Sequence, residues 1–477
     1  MGQVHRGSIF ALVFCAGAGL TSLPASVAAQ DALFKKGPKI AIVNGGVKTS
    51  FPNVSSAPVP LSPGTFIVPF LTNEKVDGPE GSKASFQRVD AGFGKTGEPT
   101  TLATGWSTTA FAPFAQNGGM ALANGKTQIV LPVRRVFPDE ILGTDIVGYF
   151  VNPDGSVDPK GEILVTGPGN QSGPVAVPKG DGTAFLAWSD AQHEAGESDW
   201  SVKGRRVSGE GKAIGEARLL ETKNIGAQLA QTGTQLANGN ILLVWTDVVP
   251  LEPGKARFIY RGRIVSPNGR NVGPRFVLAK AIRTLGNAMG MMRVAALTNG
   301  TFVAVWLDQR KGWTQGSNLG VPYYQMFSET GAPLTGPELL GDKGSTRGYD
   351  LSVAALADCG FIVTGTVVPA GGTPQLIAQF VAEFGFKIGQ PLVLDTFEDG
   401  TGGAYGYGAF EVHAANAGYL LGTPAPTGLF TVSDPTDIYV VWRRDNTPGT
   451  RYRLLGQAVT TWPEGGAKPA RSCSSRG

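Results

Sequence analysis

The side chains best suited to chemistry in this 477-residue chain form a loose set and no compact motif. His413 stands in the run Glu411-Val412-His413-Ala414, shortly after Tyr405 and Tyr407, and Arg347, Arg443 and Arg444 bring guanidinium groups to the same C-terminal third. Tyrosine and histidine can pass a proton while an arginine neutralises a carboxylate, which is what removal of the proton next to a uronic carboxyl group requires. The competing explanation is a single inward histidine hydrogen-bonded within the fold. A second cluster, Asp190-Ala191-Gln192-His193-Glu194-Ala195-Gly196-Glu197-Ser198-Asp199, gathers carboxylates and one histidine that would offer ligands to Ca2+. It lacks the regular carboxylate spacing and central glycine of a calcium loop, so a solvated acidic loop is the simpler explanation. Arg134, Arg135, Arg310 and Trp313 lie in two further polar stretches and, with His193, Arg443 and Arg444, are candidate ligand contacts. The chain has no Gly-x-Ser-x-Gly elbow, His-Glu-x-x-His pair or phosphate loop to support another enzyme class.

These residues hang on a pattern of about 60 residues that recurs seven times. Its clearest copies are Asp181-Gly182-Thr183-Ala184-Phe185-Leu186-Ala187-Trp188-Ser189-Asp190, Asn238-Gly239 through Trp245-Thr246-Asp247, and Asn299-Gly300 through Trp306-Leu307-Asp308. The turn glycines are assigned to Gly64, Gly125, Gly182, Gly239, Gly300, Gly360 and Gly418, which are 57 to 61 residues apart. About 24 residues after most of them comes a third strand, such as Phe86-Gln87-Arg88-Val89, Gly204-Arg205-Arg206-Val207 or Ala378-Gln379-Phe380-Val381. A turn rich in Asn, Ser and Gly and a short fourth strand complete each copy.

Four antiparallel strands repeated in this way predict an all-β chain forming a single β-propeller of seven four-stranded blades, with six to eight as the bounds. The first strand of each copy is small and apolar, as an innermost strand must be. The second is apolar on both faces and therefore needs cover on both sides. Trp188, Trp245, Trp306 and Trp442 are accordingly expected between blades. Asp190, Asp247 and Asp308 would line the channel mouth as paired acids if they served chemistry; their recurrence in register argues instead for a structural role, receiving turn amides or pairing with Arg205 or Arg263. The last copy is irregular, because Gly418 and Gln457 are 39 residues apart. Either it carries an insertion between Thr423 and Thr436 or an eighth, partial blade exists. Lys39-Ile40-Ala41-Ile42-Val43 belongs to no copy and is a candidate to close the ring.

Strands ending Trp-x-Asp, with Arg310 two residues beyond Asp308, followed by a Gly-rich loop and a Gln-Arg-Val or Gln-x-Phe strand, resemble the Trp-x-Asp-x-Arg propeller repeats of secreted bacterial proteins. The resemblance covers roughly residues 55 to 460 and implies the fold; such repeats occur in adhesins, in other surface proteins and beside enzymes. A more distant similarity is to the sialidases, whose Asp-box occupies the turn between third and fourth strands. Here those turns lack its tryptophan, and the aspartate is mostly Glu, Asn or Thr.

Composition agrees. Charged residues make up 16% of the chain, whereas Gly (68) and Pro (33) are abundant, as suits short strands and tight turns. A net charge of +4 with no basic run gives nucleic-acid binding no support. Residues 1–29 have the form of a secretory signal peptide ending Val27-Ala28-Ala29, and no later segment is long and apolar enough to span a membrane. A secreted or periplasmic location follows. Residues 30–50 are read as an N-terminal segment with the ring-closing strand, 51–462 as the propeller and 463–477 as a flexible tail. Cys359 and Cys473 are either bridged or free. The function expected is binding or surface interaction, with a glycan or an extracellular protein held at the channel mouth. The alternative is a carbohydrate-active enzyme, a polysaccharide lyase before a glycoside hydrolase.

Overall fold

The computed structural model describes residues 34–44, 53–54, 58–73, 82–90, 92, 94–104, 118–134, 143–191, 200–221, 227–252, 255–284, 292–308, 320–341, 347–356, 360–369, 372–397, 409–416, 436–445 and 452–461. Among them every regular element is a strand, and no helix is long and apolar enough to cross a membrane. β1 (Phe34–Asn44) precedes a first group of β2 (Asn53–Val54), β3 (Val59–Ser62), β4 (Thr65–Asn73), β5 (Ser82–Asp90) and β6 (Lys95–Thr104). The second group is β7 (Gly119–Ala121), β8 (Thr127–Arg134), β9 (Thr144–Val151) and β10 (Glu162–Val165), and the third is β11 (Asn170–Pro178), β12 (Ala184–Ala191), β13 (Trp200–Val207) and β14 (Ala213–Leu219). The fourth comprises β15 (Ala227–Gln235), β16 (Ile241–Glu252), β17 (Lys255–Val265) and β18 (Asn271–Thr284). The fifth comprises β19 (Arg293–Ala296), β20 (Thr301–Asp308), β21 (Val321–Ser328) and β22 (Glu338–Leu339). The sixth holds β23 (Arg347–Ala355), β24 (Phe361–Val368), β25 (Gln375–Val381) and β26 (Lys387–Thr396), and the last holds β27 (Ala409–Asn416), β28 (Thr436–Asp445) and β29 (Tyr452–Thr461).

Strands adjacent in sequence pair antiparallel within each group. The second and third groups merge into one eight-stranded sheet through a single parallel pair, Asn170 with Thr144. Tight turns make this meander. Gly64, Gly125, Gly182, Gly239 and Gly300 all have φ between 74° and 82°, a region where a Cβ is costly. The side chains of Asp181, Asn238 and Asn299 accept the amides two residues on, from Thr183, Asn240 and Thr301. The sixth group corrects the glycine assignment. Leu356 N–H donates to Gly360 O just as Leu297 N–H donates to Thr301 O, so Gly360, just before β24, stands one place beyond the turn glycine of the other groups; Cys359 lies outside the described residues. Gly418, Cys473, the tail 463–477 and the proposed insertion 423–436, up to Thr436 itself, lie outside the described residues.

The last group takes its outermost strand from the N-terminus: β1 pairs antiparallel with β29, giving the order β1-β29-β28-β27. Lys39 fastens this strand to its neighbour. Its ammonium lies 2.5 Å from Asp395 Oδ1 on β26 and over the Trp442 ring, and Lys36 Nζ donates to Val393 O. The outer strands bulge where a recurring glutamine on the third strand reaches their carbonyls. Gln87 donates to Thr96 and Gly97, Gln379 to Ile388 and Gly389, and Gln457 to Gly37.

The core lies between groups. Six clusters of buried apolar side chains each join consecutive groups, from the first and second through to the sixth and last. Across the remaining seam, Phe66 of the first group stacks on Tyr439 of the last, with ring centroids 4.8 Å apart. Trp188, Trp245, Trp306 and Trp442 are buried and each joins the cluster shared with the preceding group.

Trp245→Ala is expected to cost about 3–5 kcal/mol in urea unfolding, the range for emptying a buried aromatic site. Removing residues 1–44 should lower the midpoint of thermal unfolding sharply, and a synthetic peptide of residues 30–46 should restore part of it by re-pairing with β29. A truncated chain with unchanged unfolding would contradict the role given to β1.

Candidate binding face

At one end of the sheets lie the turns between first and second and between third and fourth strands, short in the first six groups, whereas residues 417–435 separate β27 from β28. At the other end emerge the connections from second to third strand and from one group to the next, and those carry the candidate residues. Arg135, His193, Arg310, Trp313, Tyr405 and Tyr407 lie outside the described residues, as does most of the acidic loop considered for Ca2+. Backbone register places the others. Arg134 ends β8 opposite Thr144, Arg347 opens β23 opposite Val368, and Arg443 and Arg444 follow Trp442 on β28 opposite Leu454 and Arg453. His413 pairs with Val441, the residue before Trp442.

The register of His413 has counterparts. Thr232 pairs with Val244, before Trp245; Arg293 pairs with Val305, before Trp306; and Ser352 pairs with Thr364. All three are polar and essentially inaccessible to solvent, Arg293 at 1% exposure. Arg293 escaped notice in the sequence because it immediately precedes the apolar run Val294-Ala295-Ala296-Leu297 and looks like a strand boundary. This inner-strand level is therefore one place where the fold accommodates buried polar groups.

The recurring aspartates have defined partners. Trp188 Nε1 donates to Asp190 Oδ2 and Trp245 Nε1 to Asp247 Oδ1, both at 3.1 Å. Lys203 Nζ lies 3.1 Å from Asp190, and Arg261 Nε contacts Asp247. The expected cations Arg205 and Arg263 are thus displaced by residues two positions earlier. Antiparallel pairing sets Lys203 opposite Trp188 and Arg261 opposite Trp245, which makes them diagonal neighbours of the aspartates. Arg205 occupies the position of the glutamines on the third strand and donates to Leu164 O and Gly215 O instead. In the last group the pattern reads Trp442-Arg443-Arg444, and the indole turns to Asp395 of the sixth group at 3.2 Å, with Lys39 as the cation. Burial, only partly offset by Arg261 and the Trp245 indole, holds the Asp247 carboxyl above its ordinary pKa. Among the described residues, no group of three or more His, Cys, Asp or Glu side chains is arranged to hold a metal ion.

The fourth group rises beyond its neighbours at this end. β16 runs five residues past Asp247, to Glu252, whereas β12 and β20 stop within one residue of Asp190 and Asp308. At about 3.3 Å per residue the extension adds about 15 Å of strand. Ala256, Phe258, Tyr260 and Ala281 on one of its faces are buried against Met292 and Trp306 of the fifth group, and Ile282 N–H reaches Asp308 Oδ1 at 3.4 Å.

The arrangement is that of an all-β protein with a β-propeller type of fold. No family model and no curated protein matches the chain. Solved structures do. A polysaccharide lyase, an ulvan lyase bound to a GlcA(1-4)Rha3S glycan, aligns with TM-score 0.50 at 10% identity over 87% of this chain and 95% of its own. A protein of unknown function from Dyadobacter fermentans aligns with TM-score 0.47 at 13% identity over 90% and 99%, and a Hadza microbial sialidase with 0.42 at 10% over 80% and 74%.

Asp247→Ala leaves Arg261, 13% exposed, without its carboxylate and should destabilise by about 3–5 kcal/mol. A residue serving a ligand instead would lose binding with little change in the unfolding midpoint, so denaturation and binding measured on the same variant separate the two roles.

Proposed function

We propose that this chain is a secreted or periplasmic propeller of seven four-stranded blades that binds a glycan, or failing that an extracellular protein, on the face bearing its long connections. The blade count follows from taking the eight-stranded sheet as two blades and β1 as the outer strand of the seventh, with the Phe66–Tyr439 stack as the closing seam. The observation that carries the functional part is negative selection among the polar residues. The aspartates that recur in register are occupied with indoles, amides and cations, while Arg134, Arg443 and Arg444 stand outside the pattern at strand ends, and Arg135, Arg310 and Trp313 fall in the sequence that joins second strands to third.

Elimination at a uronic residue is the second reading. It draws support from the fold shared with a lyase bound to a GlcA-containing glycan and from the adjacency of β23 and β27, which bear Arg347 and His413. Against it stands the register of His413, whose counterparts Thr232, Arg293 and Ser352 are buried within the fold.

Purified protein applied to a glycan array should retain at least one glycan class, and incubation with uronic-acid polysaccharides should produce no ultraviolet-absorbing unsaturated product. Product that disappears in His413→Ala and Tyr407→Phe would replace the binding function with the lyase. Silence in both experiments would remove the carbohydrate proposal.

A further inference from the structure

The raised part of the fourth group has a second face against which no apolar cluster among the described residues packs. Alternation along the strands puts Ala256, Phe258 and Tyr260 against the fifth group, so Val249, Arg257, Ile259, Lys280 and Ile282 point the other way, and Leu251 follows at a bulge in β16. Leu251 is 43% exposed, Arg257 and Lys280 are exposed, and the other three are half-buried. Arg257 pairs with Ile282 and Ile259 with Lys280, so the two cations are diagonal neighbours on one surface, about 7 Å apart at the backbone. Neither makes an ion pair or hydrogen bond among the described residues. The surface therefore alternates aliphatic patches with two cations that no described carboxylate pairs, on strands backed by a buried aromatic face.

We propose that this ledge is a subsite for an anionic polysaccharide, in which Arg257 and Lys280 take carboxylate or sulfate groups and Leu251, Val249 and Ile259 lie against sugar rings. The inference rests on the glycan-binding function above and specifies its ligand class. Its size favours a sugar over a protein. Three strands span about 10 Å and rise about 15 Å, room for one or two rings, whereas a stable protein interface takes about 800 Å2 from each partner. Both cations stand on paired strands, which pre-organises them for anion recognition, and the Arg257 guanidinium can grip a carboxylate or sulfate through two parallel hydrogen bonds.

The test uses the full chain and four probes: polygalacturonate, dextran sulfate, neutral dextran and poly-glutamate. Wild-type protein should bind one or both anionic polysaccharides, more weakly as salt rises, and should bind dextran and poly-glutamate far less. Arg257→Glu with Lys280→Glu should weaken the anionic polysaccharide by about tenfold or more, on the scale of charge-assisted hydrogen bonds, and flatten its salt dependence. A control pair in turns at the opposite end, Lys212→Glu with Arg270→Glu, removes the same charge and should leave binding intact. Thermal unfolding checks that both variants are folded. Equal weakening by the two pairs, or none by the first, overturns the ledge, as does poly-glutamate binding as tightly as the polysaccharides. If an array glycan is still bound by the Arg257/Lys280 variant at wild-type affinity, the ledge falls and the glycan function stands. If wild-type protein binds no glycan at all, both fall together.

Discussion

A sheet that is apolar on both faces has to be covered twice, and the rest of this molecule follows from that requirement. β12, β16, β20 and β24 carry Val, Leu, Ile, Phe and Ala on both sides, so each group is half of two cores and complete in neither. Burial of this kind, at about 25 cal/mol per Å2, is the main favourable contribution available to a chain with so few charged residues. It also makes the groups mutually dependent, since any one of them removed exposes two apolar faces.

Tryptophan satisfies most of that demand and creates a smaller one. Its ring fills the gap between groups, and its indole N–H must then find an acceptor away from water. Asp190 and Asp247 supply one from two residues further along the strand, and the carboxylate so buried draws in Lys203 or Arg261. Where the chain places Arg444 at the aspartate's position, Asp395 from the neighbouring group and Lys39 from the N-terminal strand assemble the same three-part contact. The chemistry is kept although its residues come from three separate parts of the sequence. The terminal strand is thereby joined to the sixth group by charge as well as to β29 by its backbone ladder.

Residues bound up in this way are poor candidates for ligand contact, which leaves departures from the pattern. The tall fourth group is one, because extra strand length there adds nothing to the shared cores except on the side facing Trp306 and Met292. Its opposite surface is free to carry Arg257 and Lys280. The level of the inner strands occupied by Thr232, Arg293, Ser352 and His413 is another, where polar side chains enter positions that small apolar residues hold elsewhere.

Strand class, strand order and the burial of the tryptophans were all legible in the sequence, because they depend on local facts: period-two apolar runs, Asn-Gly and Asp-Gly turns, and the recurrence of Trp at one strand position. The aspartates could be assigned a structural role on the same ground. Which cation meets each of them could not, since that depends on register between strands, and a shift of two residues exchanges Arg205 for Lys203. Nor did spacing reveal that Gly360 stands one place beyond the turn-glycine position, because one residue of offset is invisible without the hydrogen bond from Leu356 to Gly360. The ledge was hidden for a related reason. Its apolar and basic residues alternate along β17 and β18 like those of any strand, and only the packing of one face against the fifth group decides that the other is left to solvent.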